Sequence, residues 1–252
     1  MFTTAITRLP GKDFAQGLTN SGLGAPDYEL AVQQHAAYVA ALKKRGLQVI
    51  ELEPLAGFPD ACFVEDVAVV TPEITIVTRP GAESRRGETV FIEATLKDHR
   101  EIKFIEPPGM LEGGDVMIVG KNCYVGISQR TNEEGVEQLR DILKFFGYTS
   151  HAIKMEEGLH LKSDVNYVDE ETLVVTEAMN QRAEFHEYKK IVVIESERYA
   201  ANIVRVNDRL IIADGFSDTA EQLDKTDYPL IALNVGEFRK MDGGLTCLSL
   251  RF

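Results

Sequence analysis

The stretch Asp115-Val-Met-Ile-Val-Gly-Lys-Asn-Cys-Tyr-Val-Gly-Ile-Ser128 decides the fold. Its two apolar runs flank Gly-Lys-Asn, which is the pattern of two strands joined by a tight turn. Thr131 and Glu134 then form a capping pair, which predicts the start of a helix. Apolar residues recur at helical spacing until Gly147, and a further apolar stretch follows around Ile153. The unit is therefore strand, strand, helix, strand.

The same order of elements recurs along the chain. First strands are predicted to begin near residues 62, 115, 165, 202 and 246. Their spacing of roughly 40–50 residues is typical of propellers and repeat arrays. The fourth copy, for example, continues with predicted strands over Arg209–Ala213 and Leu230–Leu233. Outside the stretch 115–128, the predicted first strands are Cys62–Val70, Val165–Val168, Asn202–Val206 and Leu245–Phe252.

The fifth copy is split between the two ends of the sequence. It joins the strand Leu245–Phe252 to the strand Phe2–Arg8, the helix Tyr28–Lys44 and the strand Gln48–Glu53. A closed ring requires such a split, because closure removes exposed sheet edges. We therefore predict an α/β fold, a five-bladed α/β-propeller of ββαβ modules closed by pairing the N- and C-terminal segments. Residues 1–252 are expected to form a single domain, and the alternative is an ordinary mixed α/β sheet.

Composition narrows the classes of partner. The 252 residues include 27 basic and 40 acidic side chains, which give a net charge of −13, and 44% of the residues are hydrophobic. An acidic chain repels nucleic-acid phosphates, so nucleic acid is not an expected partner, whereas a cationic small molecule is compatible. The sequence shows neither a signal-peptide pattern nor an apolar stretch of about 20 residues, the features that predict export or membrane insertion. A cytoplasmic location is therefore expected.

The cysteines and histidines give no sign of a metal site. The three cysteines, Cys62, Cys123 and Cys247, are too far apart for a disulfide framework or a zinc motif. The five histidines are equally scattered. We therefore predict that the protein uses no metal.

Two acidic segments stand at the starts of predicted strands. Asp60, Glu65 and Asp66 lie beside the apolar run that ends at Val70, where consecutive acids are disfavoured unless they have a partner. They are either a solvated strand end or the wall of a pocket for a cation. Glu112 opens the next module in the sequence Glu-Gly-Gly-Asp, and its glycines allow close approach of the backbone.

Cys247 and His160 are each unremarkable alone. A lone cysteine on a strand, where alternation places Cys247, is typical of a buried core residue, and so is a histidine between two leucines. The predicted ring nevertheless brings both to the same end of successive modules as Glu112, Glu65 and Asp66. A cysteine, a histidine that exchanges protons and carboxylates that orient it are the parts of thiol catalysis.

Two further features have open interpretations. Arg85 and Arg130 follow predicted second strands, just before helices, where a guanidinium suits the capture of a carboxylate. The other interpretation is a solvated surface charge. The segment from Gly11 to Asp27 is too rich in glycine for a helix, and it is either a lid or mobile surface.

Taken together, these motifs resemble the dimethylarginine dimethylaminohydrolases of the guanidino-group-modifying (pentein) superfamily, and the bacterial members in particular. The resemblance runs over essentially the whole chain. It is carried by Phe-Pro-Asp-x-x-Phe-Val-Glu-Asp (58–66), Thr-Arg-Pro-Gly-Ala-Glu-Ser-Arg-Arg (78–86), Glu-x-Gly-Asp (112–115), Arg-Thr-Asn (130–132), Leu-His-Leu-Lys (159–162) and Asp-Gly-Gly-x-x-Cys (242–247). It implies a propeller of five ββαβ modules, in agreement with the ring derived above.

The resemblance also implies an activity and the catalytic residues. The activity is hydrolysis of Nω,Nω-dimethyl-L-arginine or Nω-monomethyl-L-arginine to L-citrulline and a methylamine, without a cofactor. Cys247 matches the nucleophile, His160 the residue that protonates the leaving amine and then activates water, and Glu112 the carboxylate that pairs with the guanidinium and the histidine.

The implied substrate-binding residues fall into three groups. Asp66 holds the guanidinium nitrogens with Glu65 close by, and Arg85 and Arg130 bind the α-carboxylate. Asp60 and the backbone at Leu18 and Met241 bind the α-amine, which favours a lid for the glycine-rich segment.

Two other functions remain open at this point. Arginine deiminases share the same catalytic groups and release ammonia from free arginine, although a chain of 252 residues lacks room for the extra helical domain of longer deiminases. A non-catalytic arginine-binding propeller is the second alternative, and the combination of Cys247, His160 and Glu112 disfavours it. A homodimer is compatible with the sequence.

Overall fold

The predicted ring of five modules is present in the computed structural model, which describes residues 1–156 and 158–252. Within these described residues, the strands form five three-stranded sheets. In every sheet the central strand pairs antiparallel with the first strand and parallel with the third. A parallel pair needs a crossover connection, and a helical segment supplies it in each module. The predicted α/β-propeller of ββαβ modules is thus confirmed.

Each module contributes a first, a central and a third strand. In that order they are Ala68–Val70, Thr75–Val77 and Ile102–Phe104 in the first module; Val116–Val119, Asn122–Ile127 and Thr149–Lys154 in the second; Val165–Tyr167, Thr172–Thr176 and Lys189–Val193 in the third; Val204–Val206, Arg209–Ala213 and Leu230–Leu233 in the fourth; and Leu250–Arg251, Thr4–Arg8 and Gln48–Leu52 in the fifth.

Two kinds of helix connect and precede these strands. The α-helices are Tyr28–Lys44, Thr89–Leu96, Glu133–Lys144, Glu177–Asn180, Ser217–Leu223 and Gly236–Arg239. The 3₁₀ helices are Phe14–Gln16, Val64–Val67, Glu83–Glu88, Gly113–Asp115, Leu161–Ser163, Ala183–Phe185, Glu195–Ala201 and Thr246–Leu248. Among the described residues, no helix has the length and apolar character needed to cross a membrane.

The ring is closed by the fifth module, which combines both ends of the sequence. The strand Leu250–Arg251 pairs with Thr4–Arg8, as predicted, and the two strands run antiparallel. Each pair of neighbouring modules also shares its own apolar core cluster. Ile6, for example, packs with Val67 of the first module. Five sheets with five interfaces between them make a closed ring, in which each module is stabilised by burying apolar area against two neighbours.

Two helix starts test the local sequence signals. The helix Tyr28–Lys44 has the predicted bounds, because the Asp27 side chain accepts a hydrogen bond from the Leu30 amide at 2.9 Å. The prediction of Thr131 as a cap was wrong by one residue. Asn132 is the cap of the helix Glu133–Lys144, since the Thr131 hydroxyl donates to a buried carboxylate, that of Asp115, at 2.7 Å.

The first strands are shorter than predicted at their inner ends. The strand expected over Cys62–Val70 covers only Ala68–Val70, and the one expected over Leu245–Phe252 covers only Leu250–Arg251. The inner part of each forms a 3₁₀ helix instead. The reason is that the polar side chains there bond to groups from other modules at the ring centre rather than to a neighbouring strand.

Candidate active site

A 3₁₀ helix precedes the first strand of every module, and these five helices define one end of the ring. They are Val64–Val67, Gly113–Asp115, Leu161–Ser163, Glu195–Ala201 and Thr246–Leu248. Helices of neighbouring modules contact each other around the centre. Glu65 and Asp66 lie in the first helix, Glu112 and His160 directly precede the second and third, and Cys247 lies in the last. The ring thus brings together residues that are far apart in the sequence.

Nine of the ten predicted site residues line one small cavity of about 30 Å³. They are Leu18, Asp60, Asp66, Arg85, Glu112, Arg130, His160, Met241 and Cys247. Four further lining residues were not predicted from the sequence, namely Phe63, Leu159, Asp242 and Gly243. All four lie inside or next to the motifs 58–66, 159–162 and 242–247, so proximity to those motifs was the available signal.

Glu65 is the predicted site residue that does not line this cavity. Its carboxylate is buried and lies 2.6 Å from the Lys162 ammonium, and it accepts a hydrogen bond from the Thr246 hydroxyl at 2.7 Å. It faces a separate channel of about 1,060 Å³, which Lys162 also lines. Glu65 therefore contacts Thr246, the residue that precedes Cys247, and does not line the small cavity.

His160 and Glu112 form the central pair of the site. The Nε2 atom of His160 lies 2.8 Å from Oε2 of Glu112, and both side chains are buried. The other carboxylate oxygen of Glu112 accepts a bond from the Ala82 amide at 3.0 Å and lies 3.5 Å from Nη1 of Arg130. Burial by itself lowers the pKa of His160, but Asp66 and the hydrogen bond to Glu112 outweigh it and raise the pKa to about 9. The imidazole is therefore protonated at neutral pH.

Asp66 is held in its charged form. One of its oxygens accepts a bond from the Gly114 amide at 3.0 Å, and the other accepts from Arg85. Burial raises the pKa of Asp66, but the positive charges of His160 and Arg85 outweigh this effect and leave the pKa below its usual value. A permanent negative charge therefore lines the cavity, which suits a cationic ligand.

The two predicted carboxylate-binding arginines differ in their surroundings. Arg85 has 5% of its side chain exposed, and its guanidinium donates to Asp66, to Glu88 and to the backbone carbonyls of Asp60 and Phe63. Arg130 is more open, with 18% of its side chain exposed. Arg85 thus holds protein groups together at the cavity wall, whereas Arg130 has more freedom to reach a ligand.

The glycine-rich segment lies against the cavity, at the place expected for a lid. The Leu18 amide donates to both carboxylate oxygens of Asp60, at 3.1 and 3.2 Å. The Asn20 amide donates to Asp242 at 2.6 Å, and the Ser21 hydroxyl donates to the Lys240 carbonyl at 2.6 Å. These bonds attach the segment to the turn at residues 240–242, whose backbone leads to the cysteine.

Cys247 lies on a 3₁₀ helix, so its prediction on a strand was wrong. Its Sγ atom accepts a hydrogen bond from the Gly244 amide at 3.4 Å. Burial and the charges of Glu65 and Asp66 raise the pKa of the Cys247 thiol to about 12, against the opposing effect of the Gly244 amide. The thiol is therefore neutral at pH 7 in this state of the protein.

A further buried carboxylate, that of Asp115, supports the pair of His160 and Glu112. Asp115 accepts hydrogen bonds from Ser128 and Thr131, each at 2.7 Å, and from the Leu161 amide at 2.9 Å. It thereby ties the backbone next to His160 to the segment that carries Arg130. In the sequence, Asp115 stands out only as part of a motif, and no role was predicted for it.

Three of these residues also have the spacing of metal ligands. One ligand atom each from Asp66, Glu112 and His160 lies within 4.8 Å of the other two. Each residue already has hydrogen-bond partners in the protein, and a protonated imidazole does not bind a metal. The expectation that the site uses no metal stays a prediction.

Comparison with known proteins finds relatives that match this chain over its whole length. A family model described as eukaryotic N,N-dimethylarginine dimethylhydrolase matches residues 25–245. The N(G),N(G)-dimethylarginine dimethylaminohydrolase of Pseudomonas aeruginosa is 41% identical over 254 residues, which cover 100% of both chains.

Solved structures give the same result. A cysteine-to-serine mutant of that Pseudomonas aeruginosa enzyme, complexed with citrulline, matches this chain with a TM-score of 0.99 over 100% of both chains, at 41% identity. A histidine-to-glycine dimethylarginine dimethylaminohydrolase, described as an adduct with S-methyl-L-thiocitrulline, matches over 100% of both chains with a TM-score of 0.98, also at 41% identity.

Proposed function

The chain belongs to the family of N(G),N(G)-dimethylarginine dimethylaminohydrolases, and from this premise we propose which of its side chains carry the reaction. The protein hydrolyses Nω,Nω-dimethyl-L-arginine, and Nω-monomethyl-L-arginine, to L-citrulline and dimethylamine or methylamine. The assignment of residues rests on the composition of the cavity. It holds a thiol, a protonated imidazole and buried carboxylates within one small space.

Cys247 is the nucleophile in the proposed reaction. A guanidinium is resonance-stabilised and a poor electrophile, so it must be held flat while a strong nucleophile attacks its carbon. Asp66 and Glu112 accept hydrogen bonds from its nitrogens. As the cation binds, the Cys247 thiol loses its proton to solvent, and the resulting thiolate forms a bond to the central carbon of the guanidinium. The product of this step is a neutral tetrahedral adduct in which the carbon is bonded to the sulfur and still carries all three nitrogens.

His160 transfers protons in both halves of the reaction. As an acid it gives its proton to the dimethylamino nitrogen, the bond from that nitrogen to carbon breaks, and dimethylamine leaves a thiouronium on Cys247. The neutral imidazole then takes a proton from water, whose oxygen attacks the same carbon. The carbon–sulfur bond breaks, citrulline is released and the thiol is restored. A pKa of about 9 suits the first of these roles, because it keeps the proton in place at neutral pH.

The amino-acid end of the substrate is held by groups on the lid side of the cavity. Arg130 binds the α-carboxylate, with Arg85 fixing the wall behind it. Asp60 and the backbone at Leu18 and Met241 bind the α-ammonium. The hydrogen bonds from Leu18 to Asp60 support this role, since the carboxylate already accepts from the lid at this position. Residues 1–252 thus act as a single catalytic domain.

Substrate entry requires the lid to open. A cavity of about 30 Å³ has room for one water molecule, whereas an arginine derivative is many times larger. The bonds from Asn20 and Ser21 to the turn at residues 240–242 are exposed or half-buried, so breaking them costs little. The lid segment therefore opens and recloses in each catalytic cycle.

One experiment separates this function from its rivals. The protein is incubated separately with asymmetric dimethylarginine, monomethylarginine, arginine and citrulline, and the products are identified by NMR. Dimethylamine and citrulline from the first substrate are the expected products, and Cys247→Ser is expected to abolish them. Turnover that survives in Cys247→Ser would contradict the nucleophile, and a preference for free arginine with release of ammonia would indicate a deiminase.

The same proposal covers partners and location. A cationic amino acid is the expected ligand, because the carboxylates of Asp66 and Glu112 line the cavity. Nucleic acids are not expected to bind a chain with a net charge of −13. We place the protein in the cytoplasm, and propose a homodimer as its assembly, to be tested by light scattering at several concentrations.

A further inference from the structure

A single peptide group connects the proposed nucleophile to a tyrosine of the fourth module. The carbonyl oxygen of Gly243 accepts a hydrogen bond from the Tyr199 hydroxyl at 2.8 Å. The amide on the other side of the same peptide plane, that of Gly244, donates to Sγ of Cys247 at 3.4 Å. The phenol and the sulfur are therefore linked through one peptide, by two hydrogen bonds that point in the same direction.

The position of Tyr199 follows the symmetry of the ring. It lies in the 3₁₀ helix Glu195–Ala201, which precedes the first strand of the fourth module. The corresponding helices of the other four modules carry or directly follow Asp66, Glu112, His160 and Cys247. The fourth module is the one to which the proposed mechanism assigns no residue, although its helix lies at the same end of the ring.

The surroundings of Tyr199 keep its hydroxyl a donor. Burial and the neighbouring Cys247 raise the pKa of the phenol, so it keeps its proton throughout the working range of the enzyme. The Arg239 guanidinium lies 4.9 Å from the centre of the ring. A cation over an aromatic face withdraws electron density and strengthens the hydroxyl as a donor.

The peptide between the two residues has little freedom to rotate. A side chain on Gly243 would overlap the ring of Phe63, and one on Gly244 would come within 2.5 Å of Oδ1 of Asn202. The Thr246 amide donates to the same Asn202 oxygen at 3.0 Å. The two glycines are needed here for close packing, and that packing aims the Gly244 amide at the sulfur.

We propose that Tyr199 is a positioning residue for the nucleophile, which acts through the Gly243–Gly244 peptide to stabilise the Cys247 thiolate. By donating to the Gly243 carbonyl, Tyr199 orients the peptide and increases the positive charge on the Gly244 amide hydrogen. That hydrogen then binds the thiolate more strongly than it binds the thiol. The proposal rests on the assignment of Cys247 as nucleophile.

The test measures the thiolate directly instead of turnover alone. Alkylation of Cys247 by iodoacetamide is followed against pH, with mass spectrometry used to count only the peptide that contains Cys247. Tyr199→Phe removes the hydroxyl and keeps the ring. We expect it to raise the apparent pKa of Cys247 by about half a unit to one unit, which is the net effect of one hydrogen bond. At a fixed pH below that pKa, alkylation is then about 3-fold to 10-fold slower, and kcat falls more than KM changes.

Tyr228→Phe is the matched control. Tyr228 is also half-buried in the fourth module and has an arginine, Arg205, 4.5 Å from its ring centre. It lines the wide channel instead of the small cavity. This variant is expected to leave the titration of Cys247 unchanged.

A second variant tests the relay independently. Arg239→Gln leaves the hydroxyl but removes the cation, and a smaller rise in the same apparent pKa is expected. In a Tyr199→Phe background, Arg239→Gln should have no further effect if the cation acts through the hydroxyl. If circular dichroism shows that Tyr199→Phe does not fold, the titration of Arg239→Gln alone decides.

The outcomes separate this inference from the proposed function. A folded Tyr199→Phe with lower activity but an unchanged Cys247 titration would overturn the relay and leave Tyr199 a structural role. An unchanged titration in Arg239→Gln, where that variant decides, would overturn it as well. Turnover that survives Cys247→Ser would instead remove the nucleophile on which both proposals rest.

Discussion

His160 Nε2 and Glu112 Oε2 are 2.8 Å apart, in a part of the structure where neither side chain is appreciably exposed. A charged pair at this distance and burial is stable because both members have further support: Glu112 accepts a hydrogen bond from the Ala82 amide, and His160 lies 3.9 Å from the negative charge of Asp66. The pair stores the proton that the leaving amine requires. The electrostatics of the site are therefore set before the substrate arrives.

Replacing Glu112 by Gln should lower the pKa of His160 from about 9 by about one unit or more, because the negative charge that favours the imidazolium is removed. We expect kcat to fall roughly 10²-fold to 10⁴-fold, the range found for loss of proton-transfer catalysis. NMR titration of labelled histidine measures the first effect and steady-state kinetics the second. Glu134→Gln, at an exposed position, is the control. An unchanged titration of His160 would contradict the pairing.

Cys247 should ionise more readily when a cationic ligand is bound. Its pKa of about 12 arises from burial and from Glu65 and Asp66, and a guanidinium in the cavity offsets those negative charges. We expect a non-reactive arginine analogue to lower the apparent pKa for alkylation of Cys247 by about one unit or more. Citrulline, which has the same shape without the charge, should lower it less. Equal titrations with and without the analogue would argue against substrate-assisted ionisation.

Arg130 and Arg85 should respond differently to substitution. Arg130→Gln is expected to raise KM by roughly 10-fold to 100-fold, since a charged hydrogen bond to the α-carboxylate is lost. The same variant should leave KM unchanged for a methylated agmatine, which has no carboxylate.

Arg85→Gln should instead lower the free energy of unfolding by about 3–5 kcal/mol, because it leaves Asp66 and Glu88 buried without their cation. Urea denaturation measures this loss, and Arg130→Gln serves as the matched control. Equal stability of the two variants would refute the distinction drawn between the arginines.

His35 should make the protein less stable in weak acid. It is fully buried on the helix Tyr28–Lys44, neither ring nitrogen has a hydrogen-bond partner among the described residues, and burial lowers its pKa to about 4. The unfolded chain binds this proton near pH 6.5 and the folded protein only near pH 4, so stability falls as the pH drops from about 6.5 to 4. The contribution between pH 8 and pH 5 is about 2 kcal/mol.

His35→Leu should remove that part of the pH dependence, because leucine does not titrate. Urea unfolding at pH 8 and pH 5 gives the difference, and His186→Gln, at an exposed position, is the control. The prediction fails if wild type and His35→Leu lose equal stability over this range.

Removal of divalent metals should not change activity. Asp66, Glu112 and His160 have the spacing of ligands, but the proposed chemistry uses them as a guanidinium clamp and a proton donor. Dialysis against EDTA followed by assay in metal-free buffer is expected to leave kcat within error of the untreated enzyme. Loss of activity that zinc or another metal restores would contradict the metal-free mechanism.

Sequence patterns predict the ring better than its centre. Arg209–Ala213 and Leu230–Leu233 have the predicted bounds, because apolar runs bounded by turn residues are local signals. The 3₁₀ helices Val64–Val67 and Thr246–Leu248 were predicted as strands. Their conformation depends on partners contributed by other modules, such as Lys162, and such partners leave no local pattern.

The same reason explains which site residues were missed. Cys247, His160 and Glu112 carry reactive groups and stand in motifs, so sequence alone identifies them as candidates. Tyr199 stands in none of the sequence motifs, and the residue it contacts, Gly243, is 44 positions away in the sequence. The resemblance implied that Glu65 lies close to the substrate, but neighbouring residues on a 3₁₀ helix point in different directions, and Glu65 does not line the small cavity.

The split fifth module has a consequence for biosynthesis. A ribosome releases the strand Thr4–Arg8 early, and this strand waits for its antiparallel partner, Leu250–Arg251, until all four other modules have emerged. Cys247 precedes that partner by three residues, so the nucleophile is also delivered late. Nascent chains therefore hold the carboxylates and the histidine of the cavity long before they hold the Cys247 thiol. The active site is therefore complete only when the strand Leu250–Arg251 pairs with Thr4–Arg8 and closes the ring.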